Sequence, residues 1–248
     1  MIASFTQTYG NEREPGQRDM LYGAQAKDER MIEFKNMLDV NFFSFHDNHR
    51  SEIDHYKYLN KVEKSVYLEH YDVTYTDTIR ELLRQLDILG VTHLFWTQDD
   101  SFSAENEDLD LNELLDYVKG FKENFMINLA VDPEYLNHLQ LPTDELKTFT
   151  VHHSNTKDFS RAGKFAMDDS PYIATMDVVE LIYGEYYLDD QRTIWRVEEN
   201  MAEHCASWKI PRFIPDRELF RNYNIIGRTV SEEKKEARKL VEKGILII

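Results

Sequence analysis

The sequence predicts an α/β domain in which a mostly parallel sheet is flanked by helices and a smaller second half continues from it. Two observations carry that expectation. Five strand-like runs alternate with helical patterns across residues 1–131. The composition is that of a globular chain: 248 residues, 42% hydrophobic, with no internal repeat, low-complexity tract or Pro/Gly/Ser linker.

The strand-like runs, rich in β-branched and aromatic residues, are Ile2 to Tyr9, Val40 to His46, Ser65 to Tyr71, Val91 to Thr97 and Phe125 to Val131. Between them, "RMIEFKNML" carries Met31, Ile32, Phe34, Met37 and Leu38 at helical spacing. "TDTIRELLRQLDILG" does the same with Ile79, Leu82, Leu83, Leu86 and Leu89 before Gly90 stops it. From about Pro133 the rhythm changes. A strand pair is expected around "LKTFTVHHS" and "KFAMDD", a helix from Pro171 to Tyr183, and another through "QRTIWRVEENMAEHCASW". The tail "SEEKKEARKLVEKG" reads as a charged helix with Ser231 as N-cap and Gly244 as stop. Residues 1–131 and 132–248 are therefore expected to form two halves of one compact domain.

Charge narrows the partners. Lys+Arg of 29 against Asp+Glu of 46 gives a net −17, a field that repels polyanions and disfavours nucleic acid. The single cysteine, Cys205, cannot form an internal bridge, and "MIASFTQTYG" lacks the pattern of a secretory signal, so a cytoplasmic protein is expected. No run approaches the roughly 18 apolar residues of a membrane helix, so no membrane span is expected.

Function concentrates in "VTHLFWTQDDSF", where an apolar strand ends on adjacent carboxylates, Asp99 and Asp100. In an open parallel sheet the ligand crevice lies beyond the carboxyl ends of the strands. Two neighbouring carboxylates repel one another, and a hard divalent cation such as Mg²⁺ or Mn²⁺ relieves the repulsion. A plainer reading is equally open: Asp favours turns and caps helices, and the acidic run Glu105 to Asp110 suits a solvated loop.

A helix, a Gly stop, an apolar strand and paired acids, here "TIRELLRQLDILGVTHLFWTQDDSF", resemble glycosyltransferases of the GT-A fold, whose corresponding strand ends in a DxD-type metal motif. Here Gln98 replaces the first acid of that pattern. The resemblance implies Asp100 as principal metal ligand, Asp99 as second, and Mn²⁺ or Mg²⁺ as the ion. It makes residues 1–131 the nucleotide-sugar-binding half, with Thr8, Tyr9 and Arg13 of "TQTYGNEREP" and Asp47 of "FSFHDNH" meeting the nucleotide. Residues 132–248 become the acceptor half, in which Glu198 or Glu199 of "WRVEENMAEH" supplies a base.

The implied reaction moves a sugar from a nucleotide diphosphate donor to an acceptor hydroxyl, on a glycan, a protein-linked glycan or another molecule. A base at Glu198 or Glu199 belongs to an inverting course; retaining members of the fold need none.

Each residue also has a structural alternative. Tyr9 and Arg13 could pack and solvate a turn, and Asp47 could cap a helix beginning near Ser51. Glu198 and Glu199 could be a solvated helix face. His152 and His153 could offer one imidazole to metal or phosphate, or simply decorate a strand. Two other functions stay open: a nucleotidyltransferase, although "TYGNEREPGQR" has no clear Gly-rich basic phosphate loop, and a non-catalytic interaction domain suited to the acidic, Tyr-rich surface.

Overall fold

The structure, a computed structural model, describes residues 1–9, 17–99, 101–104, 108–130, 141–154, 171–184 and 210–222. Their elements run β1 (Ile2–Tyr9), α1 (Gln17–Gln25), α2 (Glu29–Asn36), β2 (Val40–His46), α3 (Arg50–Leu59), β3 (Ser65–His70), α4 (Tyr75–Ile88), β4 (His93–Gln98), β5 (Ser101–Ser103) and α5 (Leu111–Gly120). There follow β6 (Met126–Asn128), β7 (Thr143–Glu145), β8 (Thr150–Ser154), β9 (Tyr172–Thr175), α6 (Met176–Gly184), β10 (Arg212–Pro215) and β11 (Phe220–Asn222). Nine strands form one sheet in the order β3-β2-β1-β4-β9-β6-β10-β8-β7, and β5 pairs with β11 in a small ribbon.

The first four strands of that order are parallel, with Phe5 opposite both Phe42 on β2 and Trp96 on β4. Side chains alternate across the pleat, so each strand feeds two cores. One face gathers Ala3, Phe5, Phe42, Leu94, Trp96 and Ala174 under α4 and α6. On the other, Phe34, Phe95, Leu114, Ile127 and Ile173 pack with α2 and α5, while Phe43, Phe45, Ile53 and Tyr56 pack with α3. Helix α4 shows how the sequence builds a layer. Ile79, Leu82 and Leu86 are fully buried at helical spacing. The Thr74 hydroxyl accepts the Asp77 amide at 3.1 Å to cap the helix, and Gly90 leaves it at φ +68°, a conformation that costs glycine little.

The expected α/β class with a mainly parallel sheet is what the chain adopts. Two elements differ from expectation. The segment expected as a helix from Pro171 to Tyr183 is half strand: Tyr172–Thr175 runs antiparallel between β4 and β6, and the helix starts only at Met176. Within the run expected as a fifth strand, Phe125 to Val131, the strand is the shorter Met126–Asn128, which pairs with β9 and β10. The first difference has a physical cause. A central strand is buried on both faces, so Tyr172, Ile173 and Ala174 show no alternation that would separate strand from helix. The strand expected at "KFAMDD", the helix through "QRTIWRVEENMAEHCASW" and the C-terminal helix fall outside the described residues.

Candidate functional site

The parallel strands end together at one edge, and Asp99 stands there. Its amide donates to Gln7 O at 3.0 Å, carrying the β1–β4 ladder one residue past β4, and its side chain is buried. The Tyr56 phenol is pushed well above its usual range by burial, then by its neighbours Tyr67, Tyr22 and Asp99. Asp99 therefore acts on the face that carries α1 and α3.

Thr8 is fully buried one strand away, its hydroxyl donating to Ser44 O at 3.0 Å with Asn48 Oδ1 at 3.3 Å. It ties the end of β1 to the end of β2. The backbone of Tyr9 continues that ladder opposite His46. Asp47 follows β2 at φ +56°, accepting the Asp72 amide on Oδ1 at 3.1 Å while its own amide donates to His70 O at 2.9 Å. Asp47 does not cap α3. The cap position is His49, whose amide donates to Glu52 at 3.0 Å. Thr8, Asp47 and Asp99 thus share the carboxyl edge of the sheet, on neighbouring strands. Arg13, Asp100, Glu198 and Glu199 lie outside the described residues, as does the Tyr9 side chain.

Several residues of this edge had no sequence signal. Lys35 is buried, its ammonium donating to Thr6 Oγ1 at 2.7 Å and sitting 5.2 Å from the Phe43 ring centroid. Burial lowers its pKa to about 7, against the opposing pull of Asp28. The hydrogen bonds continue in one direction. Thr97 donates to Phe5 O at 3.1 Å, so it accepts from Thr6 across 3.0 Å, and Thr6 in turn accepts from Lys35. Asn48, also buried, donates to the Tyr22 hydroxyl at 3.3 Å. On the opposite face His46 and His70 sit side by side on β2 and β3, and His70 is lowered by burial and then by His46.

His152 and His153 are not part of this edge. They stand on β8, four strands from β4, a separation on the order of 19 Å at strand spacing. There His153 Nε2 lies 2.7 Å from Asp144, which also accepts the Tyr117 hydroxyl at 2.8 Å. Burial pushes Asp144 up, but these hydrogen bonds overcome it and leave the carboxyl below its usual range.

Among the described residues no group of three or more His, Cys, Asp and Glu side chains converges as a complete metal cage. The acid turn offers a carboxylate oxygen rather than nitrogen or sulfur, which fits a hard divalent ion that takes its remaining ligands from phosphate and water.

No family model and no curated protein matches the sequence. Solved structures do match by shape. The 4-diphosphocytidyl-2C-methyl-D-erythritol synthase of Anaerococcus prevotii is 11% identical with a TM-score of 0.53, covering 97% of this chain and 96% of its own. UTP-bound UGPase of Acinetobacter baumannii is 8% identical with a TM-score of 0.55, covering 99% and 94%. Residues 1–349 of Staphylococcus aureus TarS reach the same TM-score of 0.55 at 8% identity, covering 98% of this chain and 64% of that one. At these identities the likeness is one of fold: the chain shares with these structures a mixed α/β, GT-A-like architecture built on a large, mainly parallel sheet.

Proposed function

We propose that the protein is a glycosyltransferase that moves a sugar from a nucleotide diphosphate donor to an acceptor hydroxyl, with a divalent ion held at the Asp99–Asp100 turn. The observation that supports it most is the placement of Asp99, a buried carboxylate directly after β4, beside the end of β1. Asp99 and Asp100 would hold Mn²⁺ or Mg²⁺, which when bound offsets charge building on the departing diphosphate. The rest is work for the chain itself. Tyr9, Arg13 and Asp47 would receive the nucleotide around the platform that Thr8 ties together. Glu198 or Glu199 would take the acceptor's proton as its oxygen attacks. The acceptor is a glycan, a protein-linked glycan or another hydroxyl compound, and the single cysteine suits a cytoplasmic setting.

A second reading, nucleotidyl transfer, draws support from two further structures of like fold, a UDP-glucose pyrophosphorylase and a cytidylyltransferase of Leptospira borgpetersenii, each matched over at least 96% of both chains. The two differ in product. A panel of UDP- and GDP-sugars, with and without Mn²⁺, is expected to raise the melting temperature only when both are present, because ligand binding stabilises the folded state by mass action. Transfer should release nucleoside diphosphate. Asp100→Ala should lower turnover at least ~100-fold with an unchanged melting temperature. Of Glu198→Gln and Glu199→Gln, one should lose about 10²–10⁴-fold and the other little. Pyrophosphate released from a nucleoside triphosphate and a sugar phosphate would establish the second reading. Metal-independent turnover would remove the ion, and absence of any nucleotide-sugar binding would leave an interaction domain.

A further inference from the structure

The acid turn is gripped from a part of the chain that the proposed chemistry does not use. Asp28 lies between α1 and α2 and is 3% exposed. Its Oδ1 accepts the Met31 amide at 3.0 Å, which caps α2, and also the Ser103 hydroxyl at 2.6 Å. Its Oδ2 accepts the Ser103 amide at 2.7 Å. Three donors thus satisfy one buried carboxylate, and two of them come from a residue 75 positions away. Three residues earlier, at the end of α1, Gln25 Nε2 donates to Asp99 O at 2.5 Å. The turn has further supports: the Gln98 amide donates to Ser101 Oγ at 2.9 Å, and Ser101–Ser103 pairs with β11. In the sequence Asp100 falls between Asp99, whose carbonyl is held by Gln25, and β5, which Asp28 holds at Ser103.

A cap alone does not require this. Asp28 would cap α2 with one oxygen; the second oxygen holds Ser103 at the end of β5, the strand that leaves the acid turn, and the Gln25 amide holds the backbone of Asp99. We propose that Gln25 and Asp28 are positioning residues that hold Asp99 and β5 in the arrangement that binds the divalent ion and donor diphosphate. This rests on the functional reading above. It makes the α1–α2 junction the support for the site's metal-facing turn, so loosening the junction lowers ligand affinity without unfolding the protein. Partners that orient metal ligands from behind commonly set affinity within a 10–100-fold range.

The test uses the full chain and two variants. Asp28→Asn retains one oxygen, enough to cap α2, but turns an N–H donor toward the Ser103 amide, donor against donor. Gln25→Met keeps the length of the side chain, removes its donation to Asp99 O and leaves the cap untouched. Amide exchange is followed in 98–104 and, as an internal control, in α4, alongside melting temperature and Mn²⁺ affinity by calorimetry. Both variants are expected to exchange at least about tenfold faster in 98–104, with α4 unchanged, and to bind Mn²⁺ roughly 10–100-fold more weakly. Unchanged exchange in 98–104, or equal acceleration there and in α4, overturns the proposal. So does unchanged Mn²⁺ affinity in a wild type that binds it. A wild type that binds no Mn²⁺ overturns the functional reading instead, and the exchange data alone then decide whether the junction holds the turn.

Discussion

Both faces of the central sheet carry apolar cores, yet along β1 the residues that alternate between them have opposite chemistries. Along β1, Ala3 and Phe5 enter an apolar core in which the Trp96 ring lies 4.6 Å from Phe5 and stacks on Tyr183 at 4.6 Å. Ser4, Thr6 and Thr8 point the other way and are equally buried, but they meet Asn41, Thr97, Asn48 and the Lys35 ammonium. An apolar face is stabilised by area and packing and tolerates approximation. A buried polar face is stable only while every group keeps its partner. The polar face is also the one on which the clasp from Asp28 and Gln25 grips the acid turn, so its hydrogen bonds double as alignment for the site.

The largest expected effect breaks the apolar side. Trp96→Ala removes the ring that joins Phe5, Tyr172 and Tyr183 and should cost about 3–5 kcal/mol in denaturant titration. Nucleotide-sugar affinity of the molecules that stay folded should hold. A large affinity change at constant stability would mean that the two faces are not separable in this way.

Lys35 sharpens the contrast through pH. Its pKa falls from 10.5 in the unfolded chain to about 7 in the fold, so below about pH 7 both states are protonated and the full burial penalty applies. Between about 7 and 10.5 the unfolded chain holds a proton that the folded chain has released. Stability must therefore rise with pH across that window, by on the order of 5 kcal/mol over the whole of it. Lys35→Met should flatten this rise and leave the protein more stable than the wild type at pH 7. Melting curves of both proteins at pH 7 and 9 check it, and parallel pH profiles would show that Lys35 is not the titrating group.

The smallest effect belongs to Thr8→Val, which keeps shape and deletes the hydroxyl that joins β1 to Ser44 O and Asn48. A loss of about 1 kcal/mol, or roughly 2–4 °C in melting temperature, is expected. A neutral result would mean that Asn48 finds another donor and that the polar face is more forgiving than its burial suggests.

What could be read in the sequence follows the same division. The strands β1, β2 and β4 announce themselves because apolar runs end in turn residues, and the place of Asp99 after β4 follows from that ending alone. The polar face was not legible. "IASFTQTY" alternates, and alternation ordinarily means one dry and one wet face, whereas here Thr6 and Thr8 are as buried as Phe5. Lys35 within "RMIEFKNML" has the spacing of a solvated helix position, and only the packed fold shows that it points inward. The pairing of Asp28 with Ser103 spans 75 residues and leaves no local pattern at all. β9 is not legible as a strand because burial on both faces erases the period that distinguishes one.

The place of β9 has a consequence in time as well as in space. It is the antiparallel partner of both β4 and β6, so neither strand has its inner neighbour until the chain has reached Thr175. At about 5–20 residues per second, a ribosome needs roughly 4–15 s to travel the ~77 residues from the end of β4 to the end of β9. During that interval the edge of β4, with Phe95 and Trp96 on it, is a template for any passing strand. The sheet closes from its middle and late, a route dominated by distant contacts that favours slow folding and gives a chaperone a defined segment to shield.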